Sequence, residues 1–274
     1  MPIVSAFLVP GSPLLMLKPD NPPWRELVAA YGEAGEILAA SKPDVIAIYS
    51  TQWMAVLDEL WQTRPRVAGE HVDENWHEYG VMPFDMHIDT ELTTACIERT
   101  NEFGIRSKGV DYDQFPVDSG TITATHFLNP QLNPQGRLPL VIAANNLYHD
   151  GAVTERLAAT VRQQADALGR RVALVGVGGL SGTIFRDDID PGADHVASPA
   201  DDEENRRMLD LIAAGDAAAV RAALPAYARA AKADMGFKHM SWLLGGLGDG
   251  YASARVLGYG PTWGAGSAVV AFTP

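Results

Sequence analysis

The sequence predicts an α/β sandwich forming one domain over residues 1–274, and three observations carry that expectation. Short β-branched runs alternate with longer segments of helical periodicity. Several of the short runs are apolar almost throughout, as strands covered by helices on both faces must be. No linker interrupts the alternation, and 274 residues suffice for a core burying roughly three quarters of the unfolded surface.

The elements follow in order. Val4–Val9 is expected as the first strand and Trp24–Ala40 as the first long helix. Val45–Tyr49 reads as the second strand. A helix over Thr90–Glu102 opens at Asp89, whose carboxylate suits an N-cap. The patch Asn129–Gly136 is rich in Gly, Pro and Asn and reads as a loop before the strand Leu138–Ala144. Asp150 is placed to cap a helix over Ala152–Leu168, and Arg171–Val177 is the next strand. Glu203–Ala214 reads as a helix ended by Gly215. The acidic run Asp201–Glu204 falls at the start of that helix, where carboxylates complement the helix dipole. Phe237–Gly245 and Ala268–Phe272 complete the series as helix and strand.

Composition narrows the function. A formal charge of −13 argues against nucleic acid or an anionic membrane as partner, since both demand a basic face. The single cysteine, Cys96, excludes a disulfide framework and a Cys metal site, and its helical neighbours Leu92 and Ile97 place it in the core. No apolar run reaches the ~18 residues of a membrane span. With no signal-peptide pattern at the N-terminus, a cytoplasmic protein is expected.

In α/β folds the loops at strand C-termini gather ligand sites. Four segments are candidates: Pro10–Pro13, Ser50–Trp53, Asn145–His149 and Gly178–Gly182. The Gly-rich turn Gly176–Gly182 fails the dinucleotide pattern, because Ser181 stands where a third glycine is required. GxSxG, the mark of a serine hydrolase elbow, is absent. His71 and His77 flank Asp73 and Glu74 in HVDENWHEYG, a donor-rich stretch that matches no standard metal spacing and reads as a polar loop. His126, His149, His195 and His239 stand singly. Composition and spacing alone therefore name no activity.

The same four segments, with DYDQFPVDSGT and GFKHMSWLLGGL, resemble the class III extradiol ring-cleavage dioxygenases in order and over nearly the whole chain. The resemblance implies a central mixed sheet covered by helices. It also implies an Fe(II) site of two histidines and one glutamate, which leaves positions open for substrate and O₂. Here the first histidine position holds Gly11, the second Gln52, and the glutamate position Lys238, one helical turn before Trp242. An ammonium 4 Å from even a unit positive charge is repelled by roughly 4 kcal/mol at an effective dielectric of 20. The acid–base histidines of the family fall at Ser119 and Gly182, and losing such groups typically costs 10²–10⁴-fold each.

These vacated positions resemble the non-catalytic α subunit of heteromeric members. The resemblance therefore implies no cofactor in this chain, Fe(II) in a homologous catalytic β subunit, and an α₂β₂ assembly. Two alternatives stay open. Relocated ligands His71, Asp73, Glu74 and His77 would make the chain self-sufficient. A vestigial pocket of Gln52, Asn146, Tyr148 and His149 would hold an aromatic ligand without turnover. Lys238 either fills the former metal space, with Gln52 and Ser119 bonding around it, or reaches solvent.

Overall fold

Ten strands and eight α-helices appear in the computed structural model, which describes residues 2–113, 117–129, 138–182 and 188–274. In chain order they are β1 (Ile3–Val9), α1 (Leu14–Leu17), α2 (Arg25–Ser41), β2 (Val45–Ala55), β3 (Glu59–Gln62), β4 (Arg66–His71), β5 (Met82–His87), α3 (Thr90–Glu102) and β6 (Ser107–Val110). There follow α4 (Ser119–Leu128), β7 (Leu140–Asn146), α5 (Gly151–Ala167), β8 (Val172–Val177), α6 (Pro199–Ala213), α7 (Ala217–Ala230), α8 (Lys238–Leu247), β9 (Ser253–Thr262) and β10 (Ala265–Thr273).

Eight strands form one mixed sheet in the order β6-β3-β7-β2-β8-β1-β10-β9. Its centre, β7-β2-β8-β1, is parallel, while β10 and β9 join antiparallel at one end and β3 runs antiparallel to β7 at the other. A hairpin of β4 and β5 stands apart. The central strands read as continuous apolar runs because successive side chains enter different cores. Ala6, Leu8, Ala47, Tyr49 and Leu174 pack toward α3 and α5–α8. Phe7, Val9, Ile46, Ile48 and Val175 pack toward α1, α2 and α4. The mixed α/β sandwich is as expected.

Helix boundaries follow local chemistry. Asp89 and Asp150 cap α3 and α5, accepting from Leu92 N at 3.0 Å and Val153 N at 2.9 Å. Gly215 follows α6 at φ +83°, in the left-handed region that glycine enters without a Cβ penalty. Asp201 and Asp202 lie in the first turn of α6, behind the Ser198 cap. A Cβ on Gly245 would collide with the Glu155 carbonyl oxygen, so glycine lets α8 lie directly against α5.

One expectation needs correction. Ser50–Trp53 is part of β2, which runs on to Ala55; its pairing with β7 shifts between Tyr49 and Met54. β3, β4, β5, β6 and β9, and the helices α1, α4 and α7, were not expected. Residues 130–136 of the expected Asn129–Gly136 loop lie outside the described residues. No helix among the described residues is long and apolar enough to cross a membrane.

Candidate functional site

The carboxyl ends of β1, β2, β7 and β8 converge, as parallel strands require, and bring most of the singled-out residues to one end of the sheet. Gly11 follows β1 directly and Gln52 lies beside it: the Gln52 Nε2 donates to the Gly11 carbonyl at 3.0 Å. The other end of the same amide accepts from Ser119 Oγ at 2.8 Å. Ser119 opens α4, whose cap Asp118 accepts from Thr121 N at 2.9 Å and from Ser50 Oγ at 2.6 Å. Gly11, Gln52 and Ser119 thus form one hydrogen-bonded unit. Space there is already filled: a Cβ on Gly11 would lie 2.9 Å from the Gln52 Nε2. Gly182 follows β8 at φ +85°, where any side chain would be strained.

Lys238 belongs to a second cluster. It is 8% exposed at the start of α8, and its Nζ donates to the carbonyls of Asn146 at 2.8 Å and His149 at 3.2 Å. Beneath it, Glu59 at the start of β3 is fully buried and takes His149 Nδ1 at 3.1 Å. Burial pushes the Glu59 carboxyl up to about 7, against the pull of His149 and Lys238. Burial likewise lowers the Lys238 ammonium, with Glu59 and Asp150 opposing. The second oxygen of Glu59, Oε1, has no hydrogen bond among the described residues. Glu59 and Lys238 are thus buried beside the partly exposed His149, with one Glu59 oxygen on the imidazole and the ammonium on backbone carbonyls.

His239, the next residue on α8, is fully buried. Burial pushes its imidazole down to about 4, although the Asp234 carboxylate draws it upward. The turn before α8 is conformationally unusual: Met235, Gly236 and Phe237 all have positive φ, at 44°, 68° and 62°. Asp234 anchors that turn across the sheet, accepting from Thr51 Oγ1 at 2.6 Å and from Gly179 N at 3.0 Å.

A cavity of about 440 Å³ opens over Gln52 and Ser119. Trp76, from the loop after β4, and Trp263, between β9 and β10, form a wall with ring centroids 4.6 Å apart. Asp73 and Asp234 add carboxylates. Trp263 is held at φ 54° by Asp194, a buried carboxylate that accepts from Trp263 N at 2.6 Å, Gly264 N at 2.8 Å and the Trp24 indole at 2.7 Å.

The structure therefore brings Gly11, Gln52 and Ser119 together but separates them from the other pocket candidates. Asn146 is buried with its side chain donating to the Asp58 carbonyl at 3.1 Å, His149 is on Glu59, and Tyr148 is 80% exposed. None of the three lines the cavity over Gln52. Lys238 neither bonds to Gln52 and Ser119 nor reaches solvent; the carbonyls at the end of β7 and in the loop after it capture it first. The relocated-ligand set fares no better. Among the described residues no three His, Cys, Asp or Glu side chains are grouped to hold a metal ion, and His77 Nδ1 instead meets the Glu74 carbonyl at 3.2 Å.

Glu59, Trp76, Asp234 and Trp263 were missed. Trp76 sits inside HVDENW and Asp234 just ahead of GFKH, so both lay within or beside motifs already singled out. Nothing near Glu59 in the sequence signals its burial, and nothing near Trp263 signals the direction of its indole.

The residues do not fit the family's iron. At the positions that the resemblance assigns to its ligands, Gly11 offers no donor, the Gln52 amide is engaged at both ends, and Lys238 brings an ammonium instead of a carboxylate. The comparisons with known proteins nevertheless place the chain clearly. The family model for the catalytic LigB subunit of aromatic ring-opening dioxygenases matches residues 5–271. The chain is 50% identical to the 2-aminophenol 1,6-dioxygenase alpha subunit of a Pseudomonas species over 273 residues, 100% of both chains. It is 27% identical to a 2-aminophenol 1,6-dioxygenase beta subunit, also from a Pseudomonas species, over 288 residues, covering 98% of this chain and 93% of that one. A crystal structure of an uncharacterized protein from Escherichia coli K12 matches with a TM-score of 0.68 at 13% identity. That match covers 98% of this chain and 99% of the other, and shows likeness of fold alone.

Proposed function

The chain belongs to the LigB family of aromatic ring-opening dioxygenases, and from that premise we propose that it is the non-catalytic α subunit of a 2-aminophenol 1,6-dioxygenase-type enzyme. The observation that carries the reading is the state of the ligand positions. Gly11, Gln52 and Lys238 replace two imidazoles and a carboxylate, and Ser119 and Gly182 replace the acid–base pair. The likeness to separate alpha and beta subunits supports a heteromer in which the homologous β subunit holds Fe(II). When bound there, the iron supplies the O₂ chemistry that opens an aminophenol ring to an aminomuconate semialdehyde.

In this reading the present chain contributes structure. The Gln52 amide bridges the Gly11 carbonyl and Ser119 Oγ, and in a separate cluster Lys238 is held by the carbonyls of Asn146 and His149, so neither group depends on a metal for its partners. It stabilises the partner's fold and surfaces in an α₂β₂ complex in the cytoplasm. The chain acts on no substrate by itself.

The test is metal content and ring cleavage of the purified chain, alone and co-expressed with its β homologue. The reading expects an iron-free, inert chain and an active complex with about one iron per αβ pair. Stoichiometric iron and ring cleavage in the chain alone would overturn it.

A further inference from the structure

Six of the ten large apolar side chains that stand exposed among the described residues lie together. They are Met54, Val56 and Leu57 at the end of β2 and in the turn after it, Leu147 and Tyr148 in the loop after β7, and Met235 in the turn before α8. Leu57 is 83% exposed and Tyr148 80%. Contiguous apolar surface of this kind on a soluble chain marks a contact with another molecule. We infer that this surface is where the homologous β subunit docks. The inference rests on the α-subunit reading and deepens it by naming the face that meets the partner.

The three segments are joined. Leu147 N donates to the Ala55 carbonyl at 2.9 Å, and the Asn146 side chain donates to the Asp58 carbonyl at 3.1 Å. The turn after β2 and the loop after β7 therefore form one piece. Met235 borders a hollow of about 300 Å³ with Leu147, and the larger cavity with Met54. The loop is also fixed from behind: Lys238 holds the carbonyls of Asn146 and His149, on either side of Leu147 and Tyr148. Tyr148 N donates to Asn146 Oδ1 at 3.0 Å. The backbone is thus ordered before a partner arrives, which removes a cost that association otherwise carries. Tyrosine is the kind of anchor that supplies binding energy at interface centres, and Met54 and Met235 adapt to a partner's contour.

Charge at the edge of this surface sets the partner's chemistry. The carboxylate of Asp58, next to Leu57, is buried and shared by Arg106 at 2.6 Å and Lys108 at 2.8 Å, whose own side chains are mostly exposed. Two cations on one carboxylate leave an excess positive charge beside Leu57, on a chain whose formal charge is −13. The complementary face is apolar, with a carboxylate opposite Lys108. A second copy of this chain meeting the first around Leu57 would set cation against cation. The surface therefore fits a partner with different edge chemistry, and the α-subunit reading supplies one in the β subunit.

The experiment co-expresses the full chain with its β homologue and measures the heteromer by native mass spectrometry and sedimentation, with ring cleavage of the complex followed in parallel. Leu57→Asp and Tyr148→Asp place a charge at the centre of the surface. Each should weaken assembly by roughly tenfold or more. Both sites are exposed, so the lone variants should keep the parent's circular dichroism and Tm. Lys108→Glu should weaken assembly most at low salt. Val256→Asp, at an exposed apolar residue of β9 on the far edge of the sheet, should leave assembly unchanged. Assembly like the parent's in Leu57→Asp and Tyr148→Asp, or in Lys108→Glu at low salt, would overturn the inference. So would an equal loss in Val256→Asp, or variants that abolish self-association of the lone chain and spare its pairing with β. With an active complex of the parent chain, those results defeat this inference alone. A parent chain that never pairs with β, or that cleaves the ring by itself, defeats the α-subunit reading.

Discussion

Replacing Glu59 by glutamine should make stability less sensitive to pH, by an amount the structure sets. Glu59 is fully buried, and its carboxyl is moved from 4.5 to about 7 chiefly by desolvation. Between those values the folded chain holds a proton that the unfolded chain has released. Stability from this group is therefore complete below about pH 4.5 and lost as pH rises through about 7. At 1.36 kcal/mol per pH unit of displacement, the loss amounts to about 3 kcal/mol. Glutamine keeps the shape and one acceptor for His149 but cannot ionise. The Glu59→Gln protein should match the parent at pH 4.5 and exceed it by about 3 kcal/mol at pH 8. Urea unfolding midpoints across that range, read as the difference between the two proteins, isolate the effect from all other titrations. A difference that stays constant with pH would mean that Glu59 is ionised throughout and that Lys238 and His149 outweigh its burial.

Other consequences are equally direct. His239, held down at about 4 against an ordinary 6.5, acts with the opposite sign. Its contribution is complete above about pH 6.5 and lost as pH falls through 4, so His239→Gln should flatten the acid limb of the stability profile measured by denaturant unfolding. Asp194→Ala leaves two backbone N–H groups and the Trp24 indole without their acceptor. It should cost about 3–5 kcal/mol in calorimetric or urea unfolding, with Asp194→Asn losing less. Gly245→Ala forces α8 away from the Glu155 carbonyl and should lose about 3 kcal/mol or more, seen as a fall in Tm.

How much of this was legible in the sequence depends on how local the signal is. β1, β8 and α3 were readable because their patterns are complete within a few residues: apolar runs, caps and a terminal glycine. β3 and β6, four residues each, carry no such pattern, since SKGV and ELWQ become strands only through pairing with each other and with β7. β9, with glycines at 258 and 260, owes its form to β10 alongside. α7 contains Pro225, which disguised a helix whose other positions favour one. Gln52 and Ser119 were expected to bond around Lys238; they bond to each other instead, and backbone carbonyls after β7 hold the ammonium. Asn146 and His149 were misplaced because position at a strand end does not fix side-chain direction; Asn146 turns to Asp58 and His149 to Glu59.

Lys238 also constrains what its own position can become. Its ammonium lies close enough to Glu59 to draw that buried carboxyl downward, and it is tied to the carbonyls of Asn146 and His149. A glutamate at 238, the position that the resemblance assigns to an iron-binding carboxylate, would put an acid near the buried Glu59 in place of the present ammonium. Two carboxyl groups would then face each other in a desolvated space, and two backbone carbonyls would lose their donor. The first step back toward an iron site is thus uphill unless Glu59 changes as well. On the α-subunit reading proposed above, Lys238 thus holds this end of the sheet in an arrangement that a single substitution does not turn into a metal site.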